Sequence, residues 1–302
     1  MSILLSNLEI FGFRALWSPY FMVSMIIVAI LYIYVTGRGR ERFEGSEPVS
    51  LKQKTFFLLG IALLYFFKGG PIDLLGHLML SAHMAQMAFL YLIIPPLLIL
   101  GTPVWLLEKL VNNKAIKPAF KFLTRPLIAL ISFNALFSFY HIPVIFDVVK
   151  TDVTLHTIYT ILLFIASFMM WWPLVDPLPE GNKMSGIKKM GYIMADGVLL
   201  TPACALIIFA DTPLYAAYSD MTAWMAALAL CVPASTLAGL DLGGPEMFNA
   251  LPLLEDQQLG GIIMKIIQEI MYGSMLAYVF FQWARKERET DDLDMNPILE
   301  KN

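Results

Sequence analysis

The stretch HLMLSAHMAQM, residues 77–87, sets two of the chain's four histidines beside three methionines at the start of a long apolar run. On one helix, Met79, His83 and Met87 recur at i, i+4 and i+8 and share a stripe, with His77 and Met84 on a neighbouring one. Imidazole with thioether is a ligand set for Cu(I), because thioether sulfur favours soft ions. Imidazole alone serves zinc, Cu(II) or haem iron as well, so the histidines by themselves do not choose the metal. His141 and His156 flank the short segment IPVIFDVVKTDVTL. A hairpin there would close the gap between them, and three helices could then converge their imidazoles. The competing reading makes each histidine an interfacial hydrogen-bonding residue and each methionine a packing residue.

The elements that must position these donors follow from composition. Hydrophobic residues make up 58% of the 302 and charged residues only 15%, with a mean hydropathy of +0.67. A soluble domain carries about a quarter of its residues charged, so this is a polytopic membrane protein. Apolar windows of span length fall at 17–36, 53–69, 76–100, 126–143, 153–172, 190–210 and 259–283. Arg38, Arg40, Arg42, Lys52 and Lys54 lie between the first two windows. Lys109, Lys114, Lys117, Lys121 and Arg125 lie between the third and fourth, three lysines in 182–189, and RKER after the last. The intervening loops hold few basic residues, and a basic excess marks the cytoplasmic side.

The expected fold is therefore an all-α integral membrane protein, a seven-transmembrane-helix bundle with its N-terminus outside and its C-terminus cytoplasmic. Residues 1–285 read as a single polytopic domain and 286–302 as a cytoplasmic tail, whose acidic stretch ETDDLDMNPILEKN (289–302) is expected to be disordered. Residues 211–258 are expected outside. Within them 221–240 is apolar enough for an eighth span, but crossing there would put RKERE outside, so a re-entrant or surface-lying segment is expected. The first residues lack a basic n-region and a small-x-small cleavage site, which predicts a retained interfacial segment instead of a signal peptide. Cys204 and Cys231 form no C-x-x-C pattern and read as buried thiols.

This topology puts all four histidines at the extracytoplasmic face: His77 and His83 in the first turns of the third span, His141 ending the fourth, His156 opening the fifth. Asp256, in EDQQLGG at the start of the last span, reads as a helix cap or as an orienter of a ligand histidine. Asp73 has the same two readings. Asp196 and Asp176 are placed at or near the cytoplasmic side with no chemistry assigned. No phosphate loop, G-x-S-x-G elbow, H-E-x-x-H pair or nucleic-acid patch is present, so an enzyme is not expected.

The motifs SAHMAQMAFLYLIIPPLLILGTP (81–103), FYHIPVIFD (139–147), LHTIYTILLFIASFMMWWPLVDP (155–177) and EDQQLGGIIM (255–264) together resemble the CtaG family of cytochrome c oxidase assembly factors, its Bacillus members most closely. The resemblance runs in order from about residue 10 to 285. It implies a multi-pass protein of the bacterial plasma membrane, needed to make an active haem–copper oxidase and usually linked with copper delivery to it. Carried over, the family pattern points to His83, His141 and His156, with Asp256, Gln257 and Met264. Relatives often carry a second histidine where this chain has Met87, and a Glu-His pair where it has Tyr159 and Thr160. Fewer nitrogen donors remain, which favours one soft site over a two-metal or bis-histidine haem site.

The resulting expectation is a non-enzymatic metallochaperone that binds Cu(I) through His83, His141 and His156. Met87 or Met84 would be the soft partner and His77 a supporting residue. Asp256, Gln257 and Met264 would act as orienters or an exit. The expected partners are an oxidase subunit, membrane lipid and other copper chaperones, with no nucleic acid and with a homo-oligomer left open. The rivals are a metal-free scaffold for oxidase subunits and a small membrane cytochrome with histidine-ligated haem.

Overall fold

The computed structural model describes residues 8–178 and 184–299, with side chains to Glu289; no strand occurs among them. The helices are α1 Gly12–Trp17, α2 Pro19–Thr36, α3 Leu51–Lys68, α4 Pro71–Leu78, α5 Leu80–Ala88, α6 Ile94–Gly101, α7 Val104–Val111, α8 Lys117–Leu123 and α9 Pro126–Tyr140. They continue as α10 Pro143–Thr151, α11 Val153–Val175, α12 Gly186–Ile208, α13 Ala216–Ser219, α14 Met221–Leu228, α15 Ala234–Leu237 and α16 Leu253–Leu299. Five helical stretches are long and apolar enough to cross a membrane: Glu9–Thr36, Leu80–Gly101, Val153–Val175, Gly186–Ile208 and Leu253–Glu289. Two bent pairs, α3 with α4 (41°) and α8 with α9 (78°), raise the number to seven if each makes one span.

Local sequence explains where seven of these helices begin. Ser50 and Gln53 form a reciprocal capping box on α3, and the Asp152 and Ser185 side chains cap α11 and α12. Proline, with its preset φ and missing N–H, opens α2, α4, α9 and α10.

The third apolar window does not form a single helix from 76, as expected from its hydropathy. The chain breaks at Met79, which is extended at φ −140° and ψ 144°, so His77 ends α4 while His83 sits on α5. The Met79–His83–Met87 stripe therefore loses its first member. The cause lies far along the chain. The Asp256 carboxylate of α16 accepts hydrogen bonds from Leu80 N (2.8 Å), Ser81 N (3.3 Å) and the Ser81 hydroxyl, capping a helix that has no cap of its own. Gly260 and Gly261 allow this approach. A Cβ at Gly260 would lie 3.1 Å from Ser81 Cα, and one at Gly261 would lie 2.7 Å from Ile208. Thus α16 wedges between α5 and α12.

Farther along the same span, Phe89–Ile93 is π-helical and leads into Pro95 and Pro96. The Tyr91 carbonyl has no N–H to accept from at either i+4 or i+5, because both positions are proline. Trp171 Nε1–H of α11, fully buried, donates to it instead at 3.0 Å.

The segment 211–252 folds into short pieces, none long enough to cross a membrane. Trp224, Leu228 and Val232 pack with Leu8, Phe11, Leu74 and Leu78 in a second apolar core, separate from that of the long helices. Helix α16 continues to Leu299, since the stretch after Trp283 is rich in Glu, Arg and Lys and meets no proline until Pro297. Residues 300–302, like Lys183 of the basic loop, lie outside the described residues.

Candidate functional site

All four histidines sit at one end of the bundle, around Tyr140 and Phe146. His83 is buried, and both of its ring nitrogens are engaged. Nδ1 lies 3.4 Å from Lys150 Nζ and Nε2 lies 3.3 Å from the Tyr140 hydroxyl, while Phe146 meets the ring edge-on at 5.4 Å. With Lys150 as an ammonium donor, Nδ1 must accept and Nε2–H must donate.

Lys150, on α10 between two spans, is wholly buried. Its Nζ also donates to Gly76 O at 3.2 Å and lies 5.8 Å from the Tyr218 ring centroid. Tyr218 donates to the same Gly76 carbonyl at 2.5 Å.

The other three histidines each keep a buried nitrogen without a hydrogen-bond partner: Nδ1 of His77, Nδ1 of His156 and Nε2 of His141. His141 Nδ1 lies 2.8 Å from Phe137 O, so it carries the proton, and the lone pair is left on Nε2. The His77 and His156 rings stand edge-to-face, 5.6 Å apart. Helix α4, the start of α11 and the α9–α10 corner thus meet here. The family resemblance places His77 below the other three; here His77 keeps an unpartnered ring nitrogen, while both nitrogens of His83 are engaged.

Among the described residues no three His, Cys, Asp or Glu side chains gather around one point. His141 is separated from His83 by the Tyr140 ring, 5.2 Å from one and 5.9 Å from the other. His83 and His156 do share a cavity of about 10 Å³, lined also by Met87, Lys68, Gln86 and Thr160. It holds about one water. A haem needs a pocket of the several-hundred-Å³ class and does not fit there.

Met84 and Met264 are packing residues of the core, and Met84 contacts the position a Cβ on Gly260 would take. Asp256 and Gln257 act as ties. Gln257 accepts from Leu214 N at 2.7 Å and donates to Ile207 O at 3.4 Å, holding the 211–252 segment to α12 and α16. Asp73 pairs with Lys68 at 2.9 Å and accepts from Gln86 at 2.6 Å, so this part of the site is charge-balanced.

Burial pushes the Lys150 ammonium down from 10.5 to about 7. Between those values the unfolded chain binds more protons than the folded one, so stability rises with pH there; below about 7 the full cost of the buried cation remains. The melting temperature of wild type relative to Lys150→Met should therefore climb from pH 7 toward 10.5. Parallel melting curves for the two proteins would contradict this.

A second polar group, to which the sequence assigned nothing, lies in the middle of α12. Asp196 is fully buried there and accepts from Asn134 Nδ2 of α9 at 2.5 Å. Gln268 of α16 donates to Gly197 O at 3.2 Å, and Tyr272 packs alongside. The placement is mid-helix, not near an end as expected. A carboxyl in the centre of an apolar window was the available signal.

A family model for the cytochrome c oxidase caa3 assembly factor (Caa3_CtaG) matches residues 30–286. The chain belongs to the Caa3_CtaG family. It is a multi-pass bacterial membrane protein of a family of cytochrome c oxidase assembly factors. Curated relatives of this Caa3_CtaG chain include an uncharacterized protein of Mycobacterium bovis and one of Mycobacterium tuberculosis, each 24% identical over 296 residues. The match covers 90% of this chain but 40% of each relative, so the chain spans about two fifths of their length. No solved structure matches it.

Proposed function

We propose that this protein binds Cu(I) at the histidine end of its bundle and passes it, without catalysing a reaction, to an oxidase subunit docked beside it in the membrane. The observation that carries the reading is the His77–His156 pair, with Nδ1 of each ring buried and unpartnered 5.6 Å apart between centroids. That separation suits one ion bridging two imidazoles at metal–nitrogen bonds of about 2 Å. Met87 supplies a thioether on the neighbouring cavity wall, which fits a soft ion. His141, its Nδ1–H already spent on a backbone carbonyl, has the arrangement of a ligand imidazole oriented from behind, and it serves as the next station for the ion. The basic loops at the far ends of α2, α9 and α11 orient the histidine end to the extracytoplasmic side.

Copper titration of the full-length protein against a chromogenic Cu(I) chelator tests this. About one tightly held equivalent is expected, weakened at least about tenfold in His77→Ala and in His156→Ala, since outer partners of a metal site alone change affinity by that much. His83→Phe should weaken it less. A His77→Ala/His156→Ala protein with unchanged Cu(I) affinity would refute the assignment. The metal-free scaffold draws support from one observation, the complete engagement of His83 within the fold. It requires that wild type bind no copper at all.

A further inference from the structure

The opposite end of the bundle carries a groove of about 470 Å³ between α7, α8 and the C-terminal end of α11. Lys117, Lys121 and Arg125 all line it. Lys117 and Lys121 are spaced i, i+4 on α8, a like-charge pair that disfavours a helix unless something neutralises it, and Arg125 follows at the extended corner before α9. None of the three is held in an ion pair among the described residues. Two carboxylates, Glu108 and Asp176, also reach the groove, which leaves one net positive charge. Its floor is the edge-to-face pair Phe120 and Trp172, 4.7 Å between centroids.

The setting points to the membrane surface. Helix α8 is bent 78° from α9, so with α9 crossing the bilayer α8 lies nearly in its plane. Ile116, Phe122 and Leu123 around α8 are exposed, as is Leu110 of α7. A helix with apolar side chains for the acyl layer and lysines at headgroup level is built for the interface, and tryptophan concentrates there too. We propose that this groove binds the phosphate headgroup of an anionic phospholipid, with Lys117, Lys121 and Arg125 on the phosphate and the Phe120–Trp172 pair against the first glycerol and acyl carbons. One phosphodiester charge would neutralise the groove. The site is independent of the copper reading, because it lies at the far ends of α9 and α11 from His141 and His156.

The test uses the full-length protein in detergent, loaded with a phosphatidylglycerol–phosphatidylcholine mixture and read by native mass spectrometry. Wild type should retain phosphatidylglycerol in preference to phosphatidylcholine. K117Q/K121Q/R125Q should lose at least about tenfold of that preference, from about fivefold per cation near a membrane surface. K121E alone should lower it as well, which keeps the test valid if the triple variant folds poorly. R38Q/R40Q/R42Q, on another basic loop, should retain it. Equal retention by K117Q/K121Q/R125Q, or an equal loss in R38Q/R40Q/R42Q, would overturn the site. Displacement of the lipid by millimolar inorganic phosphate would show that the groove takes free phosphate and would overturn the lipid source.

Discussion

Trp171→Ala is expected to destabilise the protein by about 3–5 kcal/mol, the range for emptying a buried tryptophan site. The side chain is fully enclosed and packs against Tyr272 at 6.0 Å. Packing supplies only part of this stabilisation. Trp171 Nε1–H serves the Tyr91 carbonyl, which Pro95 and Pro96 leave without a backbone donor, inside a span where no water can take that place. Trp171→Phe separates the two contributions. It keeps most of the ring volume but abandons the carbonyl, for an expected loss of about 1–3 kcal/mol. Unfolding of the full-length protein in detergent measures both. A Trp171→Phe variant as stable as wild type would show that the π-helical turn satisfies Tyr91 by other means.

Asp256→Ala should cost about 3 kcal/mol. Its carboxylate is buried and caps α5 through two backbone N–H groups and the Ser81 hydroxyl. Hydrogen bonds to a charged acceptor contribute about 1.5–3 kcal/mol, and the stranded donors add their own desolvation. Because the bond partners are direct neighbours, Asp256→Ala and Ser81→Ala should be non-additive, with a coupling of about 1 kcal/mol or more in a double-mutant cycle. Strict additivity would remove Asp256 from the role of cap. The variant should also loosen the break at Met79 and with it the relative placement of His77 and His83, so Cu(I) affinity is a second readout of the same substitution.

Both effects show why part of the site was legible and part was not. The CtaG-like motifs and the apolar windows pointed to the right family, an all-helical membrane fold and the histidine-rich end of the bundle. Hydropathy, however, reads the 76–100 window as continuous and so joins His77 to His83 on one helix. A carboxylate 176 residues away along the chain splits them. Asp256 itself was legible as a cap, but of its own helix, because capping rules see only neighbours in sequence. Asp196 was visible as a charge inside a span, yet its partner Asn134 comes from another helix and leaves no local pattern.

The sequence by itself determined that the chain is a helical membrane protein, and which ends of its helices carry imidazole and which carry lysine. Those properties depend on the residues within one span and its flanks, because transfer into lipid is settled segment by segment. Only the tertiary structure decided which ring nitrogens are spent and which are open. His83 is consumed by Lys150 and Tyr140, while the His77 and His156 rings meet edge-to-face and each keeps a buried Nδ1 without a hydrogen-bond partner. That outcome depends on the rotation of each helix about its axis, on the break at Met79 and on the π-helical turn Phe89–Ile93. Packing against α11 and α16 sets these, and the spacing along any one helix does not.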